Sequence, residues 1–158
     1  MMQILSKLEP RFYQADDYIL LEGDEVNEQI FVIPHTNSST FQKLKVGKYT
    51  IGFTEGNKRY FHLKFGKSTI VGGYENTFAK NSLYFYKALN FIDAYGLRTE
   101  SLMPIMDKFP KFHAQYSTYM VDHYHIIINK PMLNFKHDII TSIFQGKEGE
   151  LKSKEVER

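Results

Sequence analysis

Short apolar and β-branched runs alternate with turn chemistry through the first 97 residues. Residues 18–21, 29–33, 41–46, 49–53 and 60–65 read as strands. Residues 22–25, 35–39 and 55–58, rich in Gly, Asn, Asp and Ser, read as the breaks between them. In residues 59–65, Phe61, Leu63 and Phe65 alternate with His62 and Lys64, the pattern of a strand with one wet face. A second group follows the paired glycines Gly72 and Gly73, with strands expected over 82–89 and 94–97. Many short strands with frequent turns predict an antiparallel sandwich or roll.

The period changes after residue 98. Leu102, Ile105, Met106 and Phe109 recur at helical spacing, with Thr99 in the N-cap position. Pro104 predicts a helix that starts late or bends there, and Pro110 interrupts it. Phe112, Tyr116, Tyr119, Met120, His123 and Ile127 mark a second helix that is expected to end near residues 129–131. Leu133, Lys136, Ile140, Ile143 and Phe144 mark a third. Residues 146–158, of mixed charge, read as a solvated helical extension or a frayed tail.

Composition narrows the function. The 158 residues are 42% hydrophobic and 24% charged, as expected for one globular domain. A net charge of +2 provides no electrostatic footprint for nucleic acid or an anionic membrane. The absence of cysteine excludes disulfides, thiol nucleophiles and cysteine zinc sites. The longest aliphatic run, residues 126–128, is far short of the roughly 20 residues of a membrane helix, and no signal-peptide pattern opens the chain. His123 and His125 are two apart, the wrong spacing for a helical zinc pair. There is no Gly-x-Ser-x-Gly elbow, Walker sequence or dinucleotide fingerprint, so an enzyme is the weakest class.

Three segments, in order, carry a resemblance. Residues 13–33 contain a strand, the Glu22-Gly23-Asp24 turn and a second strand ending Ile30-Phe31-Val32-Ile33. Ile70-Val71-Gly72-Gly73-Tyr74-Glu75 follows, then Tyr86-Lys87-Ala88-Leu89 and Tyr95-Gly96-Leu97-Arg98 leading into a helix. Together they resemble the cyclic nucleotide-binding domain family, over about residues 8–129. The flavour is closest to the domains of cyclic nucleotide-gated and voltage-gated cation channels, including those of protists. The resemblance implies a mainly β fold with C-terminal helices: a jelly-roll-like β-roll with its following helices over residues 1–129, then a C-terminal helix and charged tail over 130–158.

The resemblance also implies a site. Glu75 matches the glutamate that takes the ribose hydroxyls, Gly72 and Gly73 fall at the entrance of the phosphate cradle, and Asn76 and Thr77 start its short helix. The arginine expected before the next strand is replaced by Asn81-Ser82, which leaves Lys80 as the nearest cation in the cassette and Lys87 as a second, in a strand. The implied ligand is cAMP or cGMP, with no other cofactor and no metal. The expected role is a cytoplasmic regulatory sensor, or a gating module that has lost its nucleotide and acts through a protein partner or a second copy. The glycines serve equally to make a sheet corner, Glu75 to cap a helix, and Tyr84 and Phe85, on alternating faces, to place one aromatic toward the pocket.

Overall fold

The computed structural model of the chain describes residues 2–35, 45–66, 69–145 and 156–157. A short helix α1 (Met2–Leu5) precedes β1 (Glu9–Tyr13), β2 (Tyr18–Leu20) and β3 (Glu28–His35). β4 (Lys45–Val46), β5 (Tyr49–Glu55), β6 (Lys58–Phe65) and β7 (Thr69–Val71) lead to a short helix α2 (Gly73–Thr77), then β8 (Phe85–Ala88) and β9 (Ile92–Arg98). Helices follow: α3 (Thr99–Lys108), α4 (Pro110–His123), a π-helical segment (Tyr124–Asn129) and α5 (Lys130–Phe144). A two-residue strand, β10 (Val156–Glu157), lies beside β6.

All strand pairs are antiparallel. One sheet runs β1-β9-β3-β4, with β7 also on β3; the other runs β10-β6-β5-β8-β2. Their inner faces share one core, because successive strand residues point to opposite sides. Ile30 and Val32, Ile51 and Phe53, Tyr84, Tyr86 and Ala88, and Ile92 and Ala94 all turn inward. A smaller cluster of Leu97, Leu102 and Met106 closes the outer face of the first sheet under α3, with Phe31 and Tyr116 packed against it.

The helices complete the core. Tyr124, Ile128, Met132, Phe135 and Ile139 are buried in the same cluster as the roll's strands. Their spacing of four through residues 124–132 is wider than the 3.6 of an α-helix, and the π-helical segment supplies that wider turn. It also lies where Pro131, in the first turn of α5, lacks an N–H to donate back along the helix. Among the described residues, no helix is long and apolar enough to cross a membrane.

The mainly β fold with C-terminal helices is as the sequence predicts. Several local expectations are corrected. The helix expected to end near residues 129–131 runs on in helical conformation into α5, and Pro131 is absorbed rather than ending it. Thr99 does not cap α3; its hydroxyl and its N–H both donate to the Asn27 carbonyl. Helix α3 starts at Thr99 with Pro104 inside it, not late. The strand expected over 82–89 narrows to Phe85–Ala88 because Ser82 is tied to the turn at Gly23 and Asp24. The even alternation of residues 61–65 breaks at a bulge. Gly52 pairs with Phe61 and Ile51 with Leu63, so His62 is an extra residue and Phe61 and Leu63 face opposite sides. Leu63 packs on the core and Phe61 on the outer ring of Phe85. Residues 36–44 of the expected turn and third strand lie outside the described residues. Of the closing stretch, Val156–Glu157 form a strand where helix or tail was expected.

Candidate functional site

Gly72 makes the corner into α2. Its φ of +77° is the left-handed region that favours glycine, and a Cβ there would lie 2.9 Å from Val26 Cγ1. Gly73 permits a different approach: a Cβ would lie 2.6 Å from Met120 Sδ on α4. What comes close to this backbone is therefore a helix of the same chain.

Helix α2 then divides its side chains. Asn76 turns away from the roll's interior. Its Nδ2 donates to the Val26 carbonyl at 2.9 Å and to Thr99 Oγ1, while its Oδ1 accepts from Gln29 Nε2 at 3.2 Å. Thr77 returns its hydroxyl to the Gly73 carbonyl at 2.6 Å. Asn76 is thus spent on joining α2 to β3 and α3, and Thr77 on the turn of α2 itself, with a long 3.5 Å contact from Gln29 Nε2. Lys80 is exposed, and its backbone N–H bonds the Glu75 carbonyl at 2.8 Å.

The position implied for an arginine is held by backbone pairing. Ser82 donates its N–H to the Asp24 carbonyl and accepts from the Gly23 N–H, and its buried hydroxyl donates to the Tyr84 carbonyl at 2.6 Å. The Glu22-Gly23-Asp24 turn is thereby clamped against the segment entering β8. Lys87 points to the outer face of the second sheet, 3.6 Å from Asp16 and over the rings of Tyr18 and Phe61.

Glu75 faces inward, and its side chain is 2% exposed. Burial raises its carboxyl above the ordinary range, and hydrogen bonds from its own backbone and from the Tyr86 phenol offset this in part. Its Oε1 is buried without a hydrogen-bond partner. Tyr84, Tyr86 and Tyr124 stand within electrostatic reach of it, and their phenols are raised by burial first and by Glu75 second. Among the described residues, no cation acts on the carboxyl.

The C-terminal helix seals this cluster. Tyr124 of the π-helical segment stacks on Tyr74 with centroids 4.1 Å apart, and Tyr84 donates to Asn129 Oδ1 at 2.8 Å. Farther along, Phe135 stacks on His62 at 4.2 Å and meets Phe53 edge-on.

Of the residues proposed from sequence, Glu75 and Tyr84 turn their side chains into the roll, while Phe85 packs on Phe61 and Tyr18. Gly72 and Gly73 shape the corner, Asn76, Thr77 and Ser82 are hydrogen-bonded elsewhere, and Lys80 faces solvent. Tyr86, Tyr124 and Asn129 complete the cluster and were not singled out as site residues. The even-numbered alternation of Tyr84, Tyr86 and Ala88 carried the signal for Tyr86. Nothing local marks Asn129. Among the described residues, no group of three or more metal-binding side chains comes together.

No protein-family model matches the chain. No curated protein matches it either. Solved structures do. The catabolite activator protein of Thermus thermophilus superposes with a TM-score of 0.61 at 14% identity, over 87% of this chain and 57% of that one. The C-linker and cyclic nucleotide-binding homology domain of zELK channels, crystallised in the presence of cAMP, gives 0.57 at 15% identity, over 77% and 54%. The cAMP-bound PfPKA-R (141–441) gives 0.52 at 16% identity, over 65% and 32%. The chain thus spans little more than half of the first of these. At such identities the likeness is one of fold: this chain has the β-roll and C-terminal helices of cyclic nucleotide-binding domains.

Proposed function

We propose that this chain is a non-enzymatic regulatory module of the cyclic nucleotide-binding fold, whose pocket is filled by its own tyrosines and whose output is the docking of its C-terminal helix. The observation that supports this most is the sealing of Glu75. The carboxyl expected to hold a ribose is covered by Tyr84, Tyr86 and Tyr124, and the helix carrying Tyr124 is packed into the roll's core.

The electrostatics support the same reading. A cyclic phosphate is an anion and needs a cation or several aimed N–H donors. Lys80 faces solvent, Lys87 sits on the outer face with Asp16, and Ser82 is spent on the backbone. The surface left outward by the docked helix carries exposed apolar side chains among polar ones. Tyr119, Ile126, Ile127 and Leu133 are between 41% and 65% exposed, which suits contact with a protein partner or a second copy. Such a module belongs on the cytoplasmic side, as part of a channel or another signalling assembly.

Isothermal titration calorimetry with cAMP and cGMP tests this. No heat up to about 1 mM, with an unchanged melting temperature, is the expected result. A one-to-one isotherm at about micromolar concentration, lost in Glu75→Ala, overturns it. That outcome supports the second reading, a nucleotide sensor in which ligand displaces the tyrosines. This reading is favoured by Glu75 at the matched position and by the cAMP-bound state of one structural neighbour.

A further inference from the structure

Glu75 is a buried acid that the docked-helix reading leaves without a task. It lies beneath the element whose position that reading makes the output. One of its oxygens has no partner, and the side chain is almost fully buried. A carboxylate in such a place has lost its water and gained no cation, whereas a neutral carboxyl is far cheaper to bury.

The groups that face it come from every element packed there. Tyr86 of β8 donates to it. Tyr84, on the approach to β8, and Tyr124, on the π-helical segment, respond to its charge. Tyr49 of β5 reaches the cluster through Tyr86. Tyr74, on α2 itself, stacks on Tyr124, with His125 edge-on to both rings. Phenols stay neutral through the physiological range, so they donate and accept hydrogen bonds but cannot balance a negative charge.

We propose that Glu75 is a proton-operated catch for the C-terminal helix. With the carboxyl neutral, Tyr124 and Asn129 seat over the roll. When its proton passes to solvent, an uncompensated charge lies beneath the helix, and the helix lifts to let water reach it. The proposal rests on the docked-helix reading and adds the input that governs it.

The sign follows from linkage. Burial raises the Glu75 carboxyl in the docked state, so docking is strongest where the group is protonated in both states and weakens as pH rises through the raised value. The test uses the full chain. Amide hydrogen-exchange protection of residues 124–139, corrected for intrinsic exchange, is followed from about pH 5 to about pH 8.5. Wild-type protection should fall by up to about tenfold per pH unit between the ordinary carboxylate range and the Glu75 midpoint and level off above it, while Glu75→Gln holds it constant. The carboxyl ¹³C shift of Glu75 in the wild type gives a second reading that does not depend on the variant folding. Its midpoint should coincide with the pH at which the fall in protection ends. A flat wild-type profile, an identical profile in Glu75→Gln, or ionisation of Glu75 in the ordinary carboxylate range overturns the proposal. Strong but flat protection sinks the catch and leaves the docked helix standing. A helix unprotected at every pH sinks both.

Discussion

The ring of Tyr74 lies flat against that of Tyr124, with 4.1 Å between centroids and 6° between planes. One residue belongs to the helix that follows the Gly72 corner. The other opens the π-helical segment. The stack therefore joins the helix after the Gly72 corner to the C-terminal helix directly.

Its strength is measurable. Replacing each ring with leucine keeps much of the buried apolar area and removes the stacking. A double-mutant cycle on Tyr74→Leu and Tyr124→Leu, read by urea unfolding, should give a coupling of about 0.5–1.5 kcal/mol. Additive single effects would mean that the rings are neighbours without an energetic link.

Asn76 distinguishes a structural cassette from a ligand site. Its amide satisfies the Val26 carbonyl, Thr99 and Gln29. Asn76→Ala leaves buried polar partners unmet and should cost about 2–4 kcal/mol, seen as a lowered melting temperature. A residue kept for ligand contact would leave the melting temperature unchanged.

Gly72 is held by its conformation. Alanine there must adopt a φ near +77°, with its Cβ 2.9 Å from Val26 Cγ1 and 3.3 Å from the Glu28 carbonyl oxygen. Gly72→Ala should lose about 1–3 kcal/mol in denaturant unfolding. Asn, which tolerates the left-handed region better, would recover part of the backbone contribution but none of the packing.

The strand framework was legible because alternation and turn residues are local signals. The turn at residues 55–58 and the run of Ile30 and Val32 appear where the pattern puts them. Local pattern and structure part where a distant contact decides. His62 is inserted as a bulge by pairing with β5, which the sequence of β6 alone does not announce. Pro131 reads as a stop, yet the π-helical turn accommodates it so that Tyr124, Ile128 and Met132 share one face. Glu75 was found by its place in a motif. Its burial under Tyr124 joins residues 49 positions apart in the chain, and no periodicity encodes that.

The outer ion cluster gives an acid dependence. Arg11 makes two contacts with Glu28, at 2.8 and 3.1 Å, and one with Glu9. The Arg11 hydrogen bond holds the Glu9 carboxyl below its ordinary value of 4.5, against the opposing effect of desolvation. A depressed carboxyl contributes stability that is present above its unfolded value and is lost as pH falls through the folded one. In Arg11→Met, the acid limb of a melting-temperature profile should therefore become shallower below about pH 4.5, while the neutral region shifts little. An acid limb unchanged in the variant would remove this cluster from the account.

Whether α5 is part of the domain or a detachable cover can be decided at Phe135. This side chain is 2% exposed, edge-on to Phe53 and stacked on His62, with Met132 and Ile139 buried on either side. Truncating it removes both contacts and leaves a cavity between helix and sheet. Phe135→Ala should cost about 3–5 kcal/mol if α5 unfolds with the roll. Urea transitions followed by circular dichroism and by tyrosine fluorescence would then remain coincident and move together to lower denaturant. A helix that docks reversibly behaves differently: the variant releases α5 first, the two probes separate, and the roll's own midpoint moves less. The second pattern is the one expected of an output element, because a helix that cannot leave without unfolding the β-roll cannot report on what lies beneath it.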